Sequence, residues 1–300
     1  MCRRQKSGLK KNNKMAIRPR AKTVGYIYLC CIPVLTFILA FALGHITYKL
    51  YVPIWLLNFC IMAWAVRALG IKAFRAVEKE KRWLAYGSGL LILTICLLSI
   101  LFGMGAPPGT IQEWVDTATE QKVRFDILLA DGILIALGLS LIKLVLQEKG
   151  EKLYTQLGYT AIIIAIPLFF INTSFWHSFA LQSYKIKIAN GAPNKPLEWY
   201  APAAQQIWII TIGQVLLTYF AVAMFACSLR QTKIFRRVPA VIYIAFSVIA
   251  IVSILLFPLY PDATAFSGFP YYPFMIPAVP IMLFYYMGVN ILRNISAGNI

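Results

Sequence analysis

Asp131 lies within the segment DILLADGILIALG and is the one acidic residue well inside a long apolar run of this 300-residue sequence. An ionised carboxylate that faces lipid is costly, so this side chain should face other helices, be paired or be protonated. No Lys or Arg shares its expected depth, which leaves neutral polar groups or water as its neighbours. Such a carboxyl group is a candidate for proton coupling, and a structural hydrogen bond is the alternative.

Three of the side-chain amides within other apolar runs could share a site with Asp131. Asn58 and Asn172 fall in the same half of the expected membrane as Asp131, and Gln214 falls near the midplane. Polar groups gathered on one side of a membrane protein predict a hydrated cavity that opens on that side. These four residues are therefore candidates for solute binding or proton coupling. Hydrogen bonds between separate pairs of helices are the alternative interpretation.

The two histidines, His45 and His177, fall at the same ends of their apolar runs and suggest a different chemistry. Two imidazoles and a carboxylate such as Asp131 can bind a divalent metal and activate water. No H-E-x-x-H motif supports such a site, and the sequence has no phosphate-binding loop, dinucleotide fingerprint or G-x-S-x-G elbow. We therefore expect no cofactor and keep a metal-dependent membrane enzyme as an alternative function.

The segment PPGTIQEWVDTATEQK combines a helix start signal with an acidic stripe. Thr110 and Glu113 have the spacing of a capping box, in which each side chain bonds the other residue's backbone N–H. The apolar spacing that follows predicts a short amphipathic helix on the outer membrane surface. The carboxylates of Glu113, Asp116 and Glu120 line the opposite face and could gather a cation or a basic partner. A solvated helix face is the alternative.

The last apolar run, FPYYPFMIPAVPIMLFYYMGVNIL, holds Pro270, Pro273, Pro277 and Pro280 on one helical face. Pro277 and Pro280 lie inside the run, where each removes a backbone hydrogen bond and should kink the helix. The carbonyls of Pro273 and Ile276 would then lack helical partners, which lipid cannot supply. The kinked face should therefore turn toward protein or water. A packed kink without a ligand is the alternative.

Membrane-spanning helices must position these residues, because 60% of the residues are hydrophobic and the mean hydropathy is +0.70. A soluble domain is usually about half apolar or less. Eight runs reach or approach the roughly 20 residues that a spanning helix needs. The sequence therefore predicts an all-α polytopic membrane protein, a bundle of eight transmembrane helices. The predicted spans are 24–46, 52–69, 85–103, 127–146, 155–176, 204–229, 239–258 and 270–292.

The distribution of basic residues predicts the orientation of the bundle. When the connections are sorted by alternate sides, 23 of the 29 Lys and Arg residues fall on the side of both termini. Cytoplasmic loops carry such an excess, so both termini should be cytoplasmic and the plasma membrane is the expected location. The net charge of +18 does not indicate nucleic-acid binding, because the basic N-terminal tail has no aromatic residues for stacking.

Two regions and three functions follow from these patterns. The chain divides into a basic cytoplasmic tail, residues 1–23, and an eight-span membrane domain, residues 24–300. The leading hypothesis is that the protein binds or transports a small solute through an outward-facing polar cavity. The first alternative is the enzyme that uses His45, His177 and Asp131. The second is a structural or assembly role in which another protein contacts the outer loops.

Overall fold

The computed structural model describes residues 19–191, 200–256 and 271–298, and this part of the chain is helical without strands. Eight of its helices are long and apolar enough to cross a membrane. Five short elements connect them. In chain order the elements are α1 (Pro19–Ala42), α2 (Tyr48–Phe74), α3 (Lys79–Leu98), α4 (Leu101–Met104), α5 (Ile111–Asp116), α6 (Ala118–Glu148), α7 (Leu153–Ser174), a π-helical turn (Phe175–Ala180), α8 (Leu181–Ala189), α9 (Tyr200–Gln231), α10 (Arg237–Leu256), α11 (Tyr271–Met275) and α12 (Ala278–Ser296).

Each of the eight predicted runs overlaps one long helix, so the prediction of an all-helical protein with eight candidate spans is confirmed for the described residues. The helices extend beyond the apolar runs at several ends. The third begins at Lys79, and the fourth begins at Ala118. Backbone hydrogen bonding continues into polar sequence, so a helix does not have to stop where its apolar run stops. Most of the predicted basic tail, residues 1–18, lies outside the described residues.

Contacts between connections define two ends of the bundle. At the end that we call the upper end, the Ile46 N–H donates to the Gly103 carbonyl over 2.9 Å, which ties the α1–α2 connection to α4. At the opposite end, the lower end, the Asn294 side-chain amide donates to the Ile234 carbonyl over 2.9 Å. The Ser296 hydroxyl donates there to the Leu69 carbonyl. Successive long helices therefore run between these two ends.

Helix α3 occupies the centre of the bundle. In an 18-residue apolar stretch of this candidate span 67% of the residues are buried, against 28% in the corresponding stretches of α1, α2 and α10. Glycines allow neighbouring helices to approach it closely. A Cβ at Gly87 of α3 would lie 2.8 Å from the Gly138 carbonyl of α6, and one at Gly288 of α12 would lie 2.9 Å from the Ser88 carbonyl of α3. Small residues permit such packing where lipid provides no hydrophobic driving force.

Candidate functional site

A cavity of about 590 Å³ lies between six long helices at the upper end of the bundle. Its walls come from the ends of α1, α3 and α7 and from the beginnings of α6, α9 and α12. Ligand sites for small molecules usually have volumes of about 300–1,000 Å³, so the space is of the right size for one. Representative lining residues from these walls are Phe41, Leu98, Phe125, Asn172, Trp208 and Pro277.

The lining of the cavity is mostly apolar and aromatic. Trp114, Trp176 and Trp208 contribute to it, together with a few polar groups that include Arg124 and Asn172. Of the four predicted solute or proton-coupling residues, Asn172 alone lines it. The prediction of a polar cavity is therefore wrong as to its chemistry. Several polar side chains in these spans pair across helix interfaces instead, as Asn58 does with Ser99 and Asn172 does with Gln214.

Arg124 is the charged residue of the cavity, and the sequence analysis did not select it. Its side chain is buried, with 6% of the residue exposed. One terminal nitrogen donates to the carbonyls of Met104, at 3.3 Å, and Gly105, at 3.0 Å. The buried Nε has no hydrogen-bond partner in the structure. No carboxylate of the described residues lies within 4 Å of the guanidinium, so this cation has no direct counter-ion there.

Gly105 can present its carbonyl to Arg124 because it has no side chain. Its φ of +70° and ψ of −171° belong to a region that almost only glycine occupies. A Cβ at this position would also lie 2.8 Å from the backbone carbon of Gly44. The α4–α5 connection can therefore lie directly against the α1–α2 connection at the edge of the cavity.

Asn172 and Gln214 are two predicted site residues that the structure brings together. The Asn172 amide donates to the Gln214 side-chain oxygen over 3.5 Å, a long bond between α7 and α9. The indole N–H of Trp176 donates to the Asn172 oxygen over 3.1 Å. Trp176 belongs to the π-helical turn, and such turns are frequent at functional sites. One polar pair is thereby linked to the aromatic wall of the cavity.

Asn58 lies in a separate polar network between α1, α2 and α3. It accepts a hydrogen bond from the Tyr28 hydroxyl and donates over 2.9 Å to Ser99. The Ser99 hydroxyl in turn donates to the Cys96 carbonyl over 2.9 Å. These contacts satisfy the polar atoms of Asn58 within the protein, so they fit the alternative of a hydrogen bond between helices.

Asp131 is completely buried in α6 and has no described partner. Both carboxylate oxygens lack hydrogen bonds within the structure, and none of its predicted neutral companions contacts them. The carboxyl group lies near the buried Cys96 of α3. The adjacent Gly132 lies against Phe169, which lines the cavity. Asp131 therefore faces the bundle and lies behind the cavity wall, and its role in proton coupling stays a prediction.

The predicted metal site does not assemble in this structure. His45 lies 2.7 Å from a carboxylate oxygen of Glu120, whereas His177 lies 3.4 Å from Asp126. Asp131 contacts neither ring. Within residues 19–191, 200–256 and 271–298, no group of three His, Cys, Asp or Glu side chains could hold a metal ion. Each histidine has its own surface carboxylate instead, a pairing that depends on connection geometry the sequence does not reveal.

The capping box at Thr110 and Glu113 is present, but the predicted acidic stripe has no common site. Glu113 accepts from the backbone of Thr110 and Gly109. Asp116 accepts from the Gln112 amide over 2.8 Å. Glu120 belongs to α6 and pairs with His45, so the predicted single helix is two helices. A partner protein at these loops stays a prediction.

The apolar face of α5 is used within the protein. The Trp114 ring lies about 6 Å, between ring centroids, from each of the rings of Phe125, Trp176 and Tyr184. This aromatic cluster joins α5 to α6, to the π-helical turn and to α8. The same ring lines the cavity, whereas the sequence predicts that it lies on the membrane surface.

The last predicted span is interrupted between α11 and α12. Ile276 and Pro277 separate the two helices, Pro277 precedes the first residue of α12, and Pro280 lies in its first turn, where a missing N–H costs little. The carbonyls predicted to lack partners have them: Pro273 accepts from Ile276 over 3.3 Å, and Ile276 accepts from Val279 over 3.0 Å. That detail of the prediction is wrong because the chain tightens into three-residue turns there. Pro270 lies outside the described residues.

A carboxylate at the lower end was also missed by the sequence analysis. Glu151 accepts hydrogen bonds from the backbone N–H groups of Tyr154, at 2.9 Å, and Thr155, at 3.0 Å, at the beginning of α7. The Thr155 hydroxyl lies 2.6 Å from that of Ser228 on α9. Burial alone would raise the pKa of Glu151, but hydrogen bonds from these hydroxyls and backbone groups outweigh burial and lower it. This group caps a helix and joins α7 to α9.

Comparison with known proteins adds no family to these observations. No protein-family model, curated protein or solved structure matches the chain. Its eight long apolar helices are consistent with an integral membrane protein.

Proposed function

We propose that this protein binds a small, largely apolar solute in the cavity at the upper end and carries it to or across the membrane boundary. The observation that supports this function is the cavity of about 590 Å³ between six helices. Membrane helices normally pack to exclude such space, because dispersion contacts are lost around a void. Its walls carry aromatic rings and few polar groups, which favours an apolar or amphipathic solute over an ion or a sugar.

The same proposal includes an orientation. The upper end faces the outside of the cell, and both termini lie in the cytoplasm of a plasma membrane. The excess of Lys and Arg in the lower connections and the N-terminal tail supports it. The cavity then opens toward the outer leaflet.

A binding measurement on the purified full-length protein tests the proposed function. Dodecanol is a neutral chain of suitable size, and native mass spectrometry can count its one-to-one adducts with the detergent-solubilised protein. Ala204 lines the cavity, so Ala204→Phe should fill part of it and lower the bound fraction several-fold.

The matched control is Ala245→Phe, since Ala245 lies exposed on α10, away from the cavity. This variant should bind dodecanol as the parent protein does. Equal binding by the parent and Ala204→Phe, or no saturable binding by the parent, would show that the cavity is not a solute site.

A further inference from the structure

We propose that the cavity binds a single-chain anionic amphiphile from the adjacent membrane leaflet, with its carboxylate or phosphate head group at Arg124. This inference rests on the proposed function and names the chemical class of its solute. Three features support it: the charge of Arg124, the aromatic wall of the cavity and the exposed residues of α1.

Arg124 has no direct counter-ion among the described residues. A guanidinium offers five N–H donors in a planar arrangement that matches carboxylate and phosphate groups. Two carbonyls hold one terminal nitrogen of Arg124, and its buried Nε has no partner among residues 19–191, 200–256 and 271–298. A buried charge without a counter-ion is costly, so an anion that enters the cavity gains what these residues do not supply.

The described carboxylate that interacts with Arg124 is already committed elsewhere. Glu120 lies one turn before Arg124 on α6, but its carboxylate contacts His45 at 2.7 Å and accepts from the Tyr51 hydroxyl at 3.4 Å. An interaction between Glu120 and Arg124 acts over a longer distance than a direct ion pair. Among the described residues, the local balance of charge therefore leaves a place for one more anionic group beside Arg124.

The depth of Arg124 in the expected membrane also fits an amphiphile. Arg124 lies about one helical turn before the apolar run of α6 begins at Ile127, which is the expected level of lipid head groups. The rings of Trp114, Trp176 and Trp208 line the cavity, and tryptophan is enriched at this level of membrane proteins. A head group at Arg124 would thus have its chain among the apolar residues deeper in the cavity.

The exposed residues of α1 and α9 would give a lipid-like molecule access to the cavity from the bilayer. Phe37 and Phe41 line the cavity from α1, yet they are 48% and 59% exposed. Trp208 on α9 lines it as well and is 42% exposed. Since these residues lie in candidate spans, their exposed surface would face lipid, and the cavity would then open to the hydrocarbon region. A lipid-like molecule can enter there without crossing water.

The test compares two probes of the same chain length by native mass spectrometry of the full-length protein in neutral detergent. Dodecanoate and dodecanol are titrated at about pH 8, where the carboxylic acid is ionised. The parent protein should bind dodecanoate at least about tenfold more tightly, the effect expected of a buried charged hydrogen bond. Acetate, which has the head group without the chain, should not displace dodecanoate.

Variants assign the preference to Arg124. Arg124→Gln keeps hydrogen-bonding capacity and should bind both probes equally, whereas Arg124→Lys should retain a preference for dodecanoate. Lys122→Gln removes the same charge from an exposed position on α6 and should behave as the parent. Thermal unfolding of each variant checks the fold.

Equal affinity of the parent for both probes overturns the inference whatever the variants do. If Ala204→Phe still abolishes that equal binding, the proposed solute site stands and the anionic class alone is wrong. If neither probe binds the parent saturably, the proposed function itself fails. Displacement of dodecanoate by acetate would identify a site for small anions and would also overturn the lipid-like ligand.

Discussion

Arg124 and Asp131 project from one face of α6, seven residues and about 10 Å apart along the helix axis. Both are buried, and neither has a direct partner of opposite charge within the described residues. The cation lines the cavity and the carboxyl group lies behind its wall. One face of a single helix therefore carries two ionisable groups in different surroundings, which is where a binding event and a proton could be coupled.

We predict that substitutions of Asp131 retain the stability of the protein but change the pH dependence of its activity. Asp131→Asn and Asp131→Leu remove no hydrogen bond that the structure contains. The free energy of unfolding should rise by up to about 3 kcal/mol in Asp131→Leu, because an unsatisfied buried polar group is lost, and it should stay unchanged in Asp131→Asn, which keeps a buried polar group. Chemical denaturation in detergent measures this.

If Asp131 couples protons, both variants lose the pH dependence of solute uptake by proteoliposomes that contain the protein. The parent protein assayed at the same pH values is the control. A clear loss of stability in Asp131→Asn would instead reveal a bound water or partner, and an unchanged pH profile would refute proton coupling.

Residue type and depth selected Asn58, Asp131, Asn172 and Gln214 from the sequence, because polar groups are rare in apolar runs, and of these four Asn172 alone lines the cavity. Arg124 could not be selected in this way. In the sequence it is one of several charges near the end of a span, and its burial depends on the Met104 and Gly105 carbonyls of a separate connection. The partners of His45 and His177 depend on connections in the same way.

At the scale of elements, the break between α11 and α12 shapes one wall of the cavity. Ile276, Pro277 and Ala278 all line it, and the Tyr219 hydroxyl of α9 donates to the Phe274 carbonyl of α11 over 3.3 Å. Without prolines the two helices could join into one, because both prolines lack the N–H that a continuous helix would use. The wall would then move relative to α9.

We therefore predict that Pro277→Ala combined with Pro280→Ala lowers dodecanol binding several-fold while the thermal stability stays equal or rises. Restored backbone hydrogen bonds account for the stability, and the displaced wall accounts for the binding. Native mass spectrometry and thermal unfolding measure the two effects. Pro239→Ala, in the first turn of α10 at the lower end, is the matched control and should leave binding unchanged. Parent-like binding by the double variant would show that the break has no role in the site.

The element scale also shows why the spans were predictable and their ends were not. A run of about 20 apolar residues has few stable alternatives to a helix in lipid, since every backbone group must be satisfied internally. The ends depend on local capping instead. Glu151 fixes the beginning of α7 through two backbone N–H groups, and Thr110 fixes α5 through its capping box. The capping box of Thr110 has a recognisable sequence pattern, whereas the role of Glu151 depends on how its connection folds back.

At the scale of the whole molecule, the two ends of the bundle differ in charge and in structure. The lower connections and the tail hold most of the Lys and Arg, and the cavity and its tryptophans lie at the upper end. Basic residues are retained on the cytoplasmic side during insertion, whereas a site for an extracellular or outer-leaflet solute must lie opposite. The charge distribution therefore supports the proposed orientation, and the cavity lies at the end that this orientation places outside.

Labelling of single cysteines in intact cells tests that orientation. Asp116→Cys places a thiol at the exposed end of α5, and Val77→Cys places one in the α2–α3 connection, where Val77 is 97% exposed. An impermeant maleimide should label the first variant in sealed cells and the second only after permeabilisation, because the basic connections should lie in the cytoplasm. The parent protein, which has its own cysteines, gives the background, and labelling of both variants after permeabilisation shows that both thiols can react. Labelling of Val77→Cys alone in sealed cells would show that the orientation is the opposite one, with the cavity on the cytoplasmic side.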